Sequence, residues 1–127
     1  MKLLRFSLFV LVSVVISAQT DPSRDALFSA IRQGSVAETD RLLKAGANPN
    51  VVDADGTPAL MGATLFGGAD LVKLLLDRGA DPNRPGVGGT TALMWAVPNL
   101  EKVRLLVGHG ANVNARSETD RTAFLVA

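Results

Sequence analysis

Leu75-Leu76-Asp77-Arg78-Gly79-Ala80-Asp81-Pro82-Asn83 is the stretch on which the reading of the chain turns. The same pattern stands upstream as Leu42-Leu43-Lys44-Ala45-Gly46-Ala47-Asn48-Pro49-Asn50 and downstream as Leu106-Val107-Gly108-His109-Gly110-Ala111-Asn112-Val113-Asn114. Its glycines fall at 46, 79 and 110, spacings of 33 and 31. A second element recurs as Ala26-Leu27-Phe28-Ser29-Ala30, Ala59-Leu60-Met61-Gly62-Ala63, Ala92-Leu93-Met94-Trp95-Ala96 and Ala123-Phe124-Leu125-Val126-Ala127, at spacings of 33, 33 and 31. Both elements shorten by two at the same place, so one deletion inside the third unit accounts for both. A fixed period of this size is the mark of stacked supersecondary units.

Local chemistry makes each unit a helix–turn–helix followed by a hairpin-like crossing. Thr91 and Thr122 are placed to cap short inner helices with their hydroxyls. In the second unit Thr57 is expected to cap, with Pro58 in the first helical turn, where its missing N–H does no harm. Gly34 and Gly67 are expected to make the tight turn to the outer helix. The third unit has no such glycine; there Pro98 stops the inner helix and Asn99 caps the outer one. Gly46, Gly79 and Gly110 sit where a helix ends in the left-handed conformation, and the following Asn-Pro-Asn and Asp-Pro-Asn suit a crossing to the next unit. Leu71, Val72, Leu75 and Leu76 form the stacking stripe of the second outer helix, and Val103, Leu106 and Val107 that of the third. The first unit has Glu38, Thr39 and Arg41 where the second has Leu71, Val72 and Leu74. Polar residues there predict a solvent-facing terminal cap over Asp25 to Val51.

These residues resemble the ankyrin repeat. Asp53-Ala54-Asp55-Gly56-Thr57-Pro58-Ala59-Leu60 and Gly89-Thr90-Thr91-Ala92-Leu93 match the opening of that family's pattern, and Gly-Ala-Asn/Asp-x-Asn matches its ending three times. The resemblance implies an all-α repeat solenoid of helix-turn-helix units with β-hairpin loops, about three complete units and a partial fourth. Unit limits are expected near 22–52, 53–85, 86–116 and 117–127. It also implies a protein-binding role.

Residues 1–18 read as a secretory leader. Lys2 and Arg5 precede an apolar run of 11 residues, Phe6 to Ile16, and Ser17-Ala18-Gln19 offers a cleavage site after Ala18. The run is shorter than the roughly 20 residues that span a bilayer. The expectation is an exported domain of residues 19–127 in the periplasm or secreted space, monomeric, with no membrane association after cleavage. Loss of Lys2 and Arg5 leaves 11 basic against 12 acidic residues. That balance, without a basic face, gives no electrostatic footprint for nucleic acid.

Chemistry-bearing constellations are sparse. With no cysteine and one histidine, disulfides, thiolate metal sites and thiol nucleophiles are excluded, and His109 reads as a surface residue near a helix C-terminus. Gly86-Val87-Gly88-Gly89 lacks the Lys-Ser/Thr of a phosphate loop, and Asp53 and Asp55 lack the rest of a calcium loop. No catalytic residue, metal ligand or cofactor is expected. The candidate surface is the strip of loop tips and inner-helix ends, where identity changes from unit to unit. Its tips hold Val52, Asp53, Asp55, Arg84, Val87, Arg116 and Glu118; its helix ends hold Arg32, Gln33, Leu65 and Phe66. Trp95 is expected to pack between units. The reading is a non-enzymatic interaction module or scaffold of the cell envelope or secreted space. The alternative is the recognition arm of a larger enzyme or cytochrome-like protein continuing past residue 127.

Overall fold

A computed structural model describes residues 21–123. Among them run six α-helices: α1 (Pro22–Arg32), α2 (Val36–Lys44), α3 (Ala59–Phe66), α4 (Ala69–Asp77), α5 (Ala92–Ala96) and α6 (Leu100–Gly108), with a short 3-10 turn at Val87–Gly89. Helices α1, α3 and α5 pack in one row and α2, α4 and α6 in another, each pair α1/α2, α3/α4 and α5/α6 also packing together. The expected leader and the residues Phe124, Leu125 and Val126 of the fourth inner helix lie outside the described residues; Ala123, buried, is helical.

The outer helices end alike. The N–H of Gly46 donates to the Leu43 carbonyl and that of Ala47 to Leu42; Gly79 and Ala80 bond to Leu76 and Leu75, and Gly110 and Ala111 to Val107 and Leu106. This is the paired closure of a Schellman motif, and it needs a positive φ at its glycine, here 104°, 94° and 92°. The inner helix α1 closes the same way through Gly34.

Helix starts follow the sequence only in part. Ser35 accepts from the Glu38 N–H at 3.3 Å, and Asn99 from the Lys102 N–H at 3.1 Å, so Asn99 caps as expected. Pro58, not Thr57, is the cap residue of α3, because Thr57 is held one step earlier by its backbone pairing with Asp53. Thr91 occupies the cap position of α5, but its buried hydroxyl makes no hydrogen bond among the described residues. Gly67 is not left-handed. It serves by its lack of a side chain: a Cβ there would lie 2.5 Å from Leu71 Cδ2 and 2.9 Å from the Ala63 carbonyl oxygen.

One core runs the length of the stack. Leu27, Ile31, Leu71, Leu75 and Leu106 are fully enclosed, each contributing about 1.5–3 kcal/mol by leaving water. Thr39, expected to face solvent, is also fully buried. Its hydroxyl returns to the Ser35 carbonyl at 2.7 Å, which satisfies the polar atom and lets its methyl pack. Val107, expected in the stacking stripe, is exposed, because among the described residues no further outer helix packs beyond α6.

Polar clips join the units. Asn50 donates through Nδ2 to the Gly79 carbonyl at 3.0 Å and accepts from the Asp81 N–H at 2.7 Å. Asn83 repeats both bonds at the same lengths, to Gly110 and Asn112. On the outer row, Arg78 reaches back to Asp40 at 2.6 Å, and His109, its counterpart one unit later, to Asp77 at 3.3 Å. His109 therefore ties α6 to α4 rather than standing free.

Candidate functional site

The expected hairpins are loops rather than strand pairs; the described residues hold one isolated antiparallel bridge, Val52 with Pro58. Each loop closes by the same backbone bond over four residues: Asp53 N–H to Thr57, Gly86 to Thr90, Ser117 to Arg121. Each turns through a positive φ at Gly56, Gly89 or Asp120. Three unlike residues serve that closure. Asp53 Oδ1 accepts from the N–H groups of Asp55 and Thr57, both at 2.9 Å. Ser117 Oγ accepts from the Arg121 N–H. At Gly86 a Cβ would fall 2.8 Å from Met61 Cε, so the side chain of α3 fills that place instead. The second and third tips also touch, the Glu118 N–H donating to the Gly88 carbonyl at 2.8 Å.

The candidate residues therefore divide. Val52 is part-buried in the bridge, and Asp53 is committed to its loop. Arg116 pairs with Asp120 inside its own loop at 2.7 Å, an ion pair that holds the guanidinium pKa above its ordinary value. Arg84, Val87 and Glu118 are exposed along the row of tips. Gln33, the C-cap of α1, is exposed beside Arg32 and donates through Nε2 to Ser29 Oγ.

Arg32, Asp53, Asp55, Leu65 and Phe66 come together. They border a cavity of about 270 Å³ floored by Phe28, Ile31 and Gly62, with Thr57 at its side. Arg32 Nη2 stands 3.8 Å from Asp53 Oδ2, the loosest ion pair among the described residues. The Asp55 carboxylate is exposed and makes no hydrogen bond among them. The apolar wall is unusual for a surface: Phe66 is 59% exposed and Leu65 45%.

Leu65 and Phe66 project because of the deletion. Helix α3 has eight residues and α5 only five, while the outer helices α4 and α6 have nine each. The two missing residues come from the last turn of the inner helix, so the third unit carries no counterpart of the Leu65–Phe66 turn. Lys102 reaches from α6 across the shortened α5 and donates to the Thr64 carbonyl at 2.9 Å, placing a cation at the C-terminal end of α3.

Trp95, expected between units, is 49% exposed and borders a second, smaller hollow with Met94, Thr90 and the loop residues Ser117, Thr119 and Arg121. Sequence reasoning had a signal for this: Trp95 stands 33 residues after Gly62, at the position where identity varies most along the inner row. A further apolar hollow of about 270 Å³ opens between α5 and α6, lined by Leu93, Val97, Leu100, Val103 and Val107. Among the described residues no three His, Cys, Asp or Glu side chains gather in a metal-binding group, and no helix is long and apolar enough to cross a membrane.

The chain is matched by a family model described as ankyrin repeats (3 copies), over residues 7–86 and 27–117. No curated protein matches it.

Proposed function

The chain belongs to the ankyrin-repeat family, whose arrays are generally protein–protein interaction modules, and from that premise we propose that it binds a protein partner along the inner-helix face and the loop tips. The observation that carries this reading is the ledge at Leu65 and Phe66. Two large apolar side chains stand exposed beside a cavity, on the turn that the neighbouring unit lacks. Folding does not require them there, since α5 packs without such a turn, and an aromatic residue at the rim of a pocket is a typical interface anchor. Arg84, Val87 and Glu118 extend the face along the tips.

The role is non-catalytic binding in the cell envelope or secreted space, reached by cleavage of residues 1–18. The apolar run behind Lys2 and Arg5 supports export. Mass analysis of the protein from fractionated cells tests it, with Gln19 expected as the first residue; intact cytosolic chain overturns it.

Photo-crosslinking tests the binding face. A photoreactive residue at position 66, 84 or 95 should give adducts with a partner protein in the producing cells, and one at position 73 or 104, on the outer helices, should not. Adducts confined to positions 73 and 104 would place the interface on the opposite face.

A further inference from the structure

The cavity over Gly62 differs from its neighbour one unit along in a way that identifies what it receives. At the second loop Gly86 stands where the first has Asp53, and Met61 packs against its backbone, within 2.8 Å of where a Cβ would stand. At the first loop the inner helix contributes Gly62, where the next unit has Trp95. A Cβ on Gly62 would meet only Ile31 Cγ2 at 3.4 Å and Phe28 Cε1 at 3.9 Å. The floor is therefore apolar and the space above it is open, about 270 Å³.

The rim of this cavity is charged, and unevenly. Two carboxylates, Asp53 and Asp55, face one guanidinium, Arg32. Asp53 spends Oδ1 on two loop N–H groups and leaves Oδ2 with only the 3.8 Å approach of Arg32. Asp55 has no side-chain partner among the described residues. One negative charge is thus left over beside an exposed aromatic ring.

We propose that this cavity is a socket for an arginine or lysine side chain of the protein partner. The proposal rests on the inner-helix face being the binding face. The aliphatic stem lies over Ile31 and Gly62 and against Leu65, and the cationic head reaches Asp55 and the free oxygen of Asp53 beside the Phe66 ring. A long basic side chain matches both halves of the site, burying its stem while keeping its charge at the edge. A cation near an aromatic face and a carboxylate gains from both. An acidic side chain meets the excess carboxylate, and an apolar one leaves the rim charges without partners.

The test uses a displayed library of random 12-residue peptides panned against the exported domain, residues 19–127, and against the full chain. Selected peptides should carry a basic residue flanked by apolar ones. Their affinity should fall about three- to tenfold in Asp55→Asn, a change at an exposed side chain that leaves the fold intact. It should fall further in Gly62→Leu, which fills the cavity, and in Phe66→Ala. Circular dichroism separates loss of binding from loss of fold. Selected peptides without a basic residue, or basic peptides bound equally well by Asp55→Asn, overturn the socket. If those peptides still lose affinity in Phe66→Ala or Trp95→Ala, the inner-helix face survives as the binding face. Peptides indifferent to all four variants overturn both readings.

Discussion

The side-chain oxygen of Asn83 lies 2.7 Å from the backbone nitrogen of Asn112, while its amide nitrogen lies 3.0 Å from the carbonyl of Gly110. One carboxamide thus fastens the end of one outer helix to the loop of the unit before it, and Asn50 does the same one unit earlier. Replacing Asn83 by Ala removes two such bonds and should cost about 1–2 kcal/mol. Asn114 holds the equivalent position but clips nothing among the described residues, so Asn114→Ala should change stability by a few tenths of a kcal/mol at most, about the size of an ordinary surface change. Urea midpoints of the two variants check this, and equal shifts would contradict it.

Leu75 is fully enclosed between the helix rows, whereas Val107 is 43% exposed on the last described helix. Leu75→Ala should destabilise by about 2–5 kcal/mol, a large part of what a short repeat array possesses. Val107→Ala should cost well under about 1 kcal/mol. Denaturant titration followed by far-ultraviolet circular dichroism gives both values.

Adjacent glycines of the second unit should respond in opposite directions. Gly67→Ala drives a methyl group into Leu71 and the Ala63 carbonyl and should cost about 1–3 kcal/mol. Gly68 is the cap residue of α4, in extended backbone with open space around its Cα, at the position where Ser35 and Asn99 cap the other outer helices. Gly68→Ser should therefore raise stability by a few tenths of a kcal/mol, of the order expected for a gained cap. Thermal melting of the two variants distinguishes a cap from a close-packed turn.

Acid should loosen the outer row. Asp40 is held below its ordinary pKa by hydrogen bonding to Lys44 and by the charges of Lys44 and Arg78; Asp77 is lowered by Lys73 first and then by His109. A carboxylate whose pKa is lower in the folded state adds stability above its unfolded value of about 3.9. That stability is lost as the pH falls through the lower folded value. Melting temperature should fall between about pH 5 and pH 3 for this reason. Asp40→Asn should flatten that dependence and lower the melting temperature slightly at neutral pH. An unaltered pH profile in the variant would show that these pairs do not couple to folding.

The period and the helix ends were legible in the sequence because each has one economical solution. A Schellman closure needs a residue at positive φ, and glycine at 46, 79 and 110 announces it. The loop tips were harder to read for the opposite reason. Asp53, Gly86 and Ser117 are unlike in identity, yet each closes the same four-residue loop, one by a carboxylate, one by yielding its space to Met61 and one by a hydroxyl. Variation at those positions reflects alternative solutions to one backbone problem, so it marks a free surface only at neighbours such as Arg84 and Glu118. Thr39 misled because its residue type suggests solvent while its hydroxyl is satisfied locally. The repeated asparagine at 50, 83 and 114 was visible and read as a turn residue; its reach to the next unit depends on spacings of 27 to 31 residues that no local pattern conveys. The gathering of Arg32, Asp55 and Phe66 around Gly62 could be anticipated only as a strip, since cavity depth depends on which side chain is missing in the middle.

The shortened third unit shows where this architecture keeps its spare length. Two residues are absent between the start of α5 and the start of α6, yet Asn83 clips Gly110 and Asn112 at the distances Asn50 keeps to Gly79 and Asp81. The joint between inner and outer helix thus acts as a slack region that absorbs insertions and deletions without shifting the units against one another. The run from the outer-helix glycine to the asparagine four residues later has no such tolerance, because both ends are fastened. Residues added or removed after Ala63 or Ala96 would lengthen or shorten the inner edge of the array and reshape what it can hold, while a single residue inserted between Gly79 and Asn83 would uncouple one unit from the next.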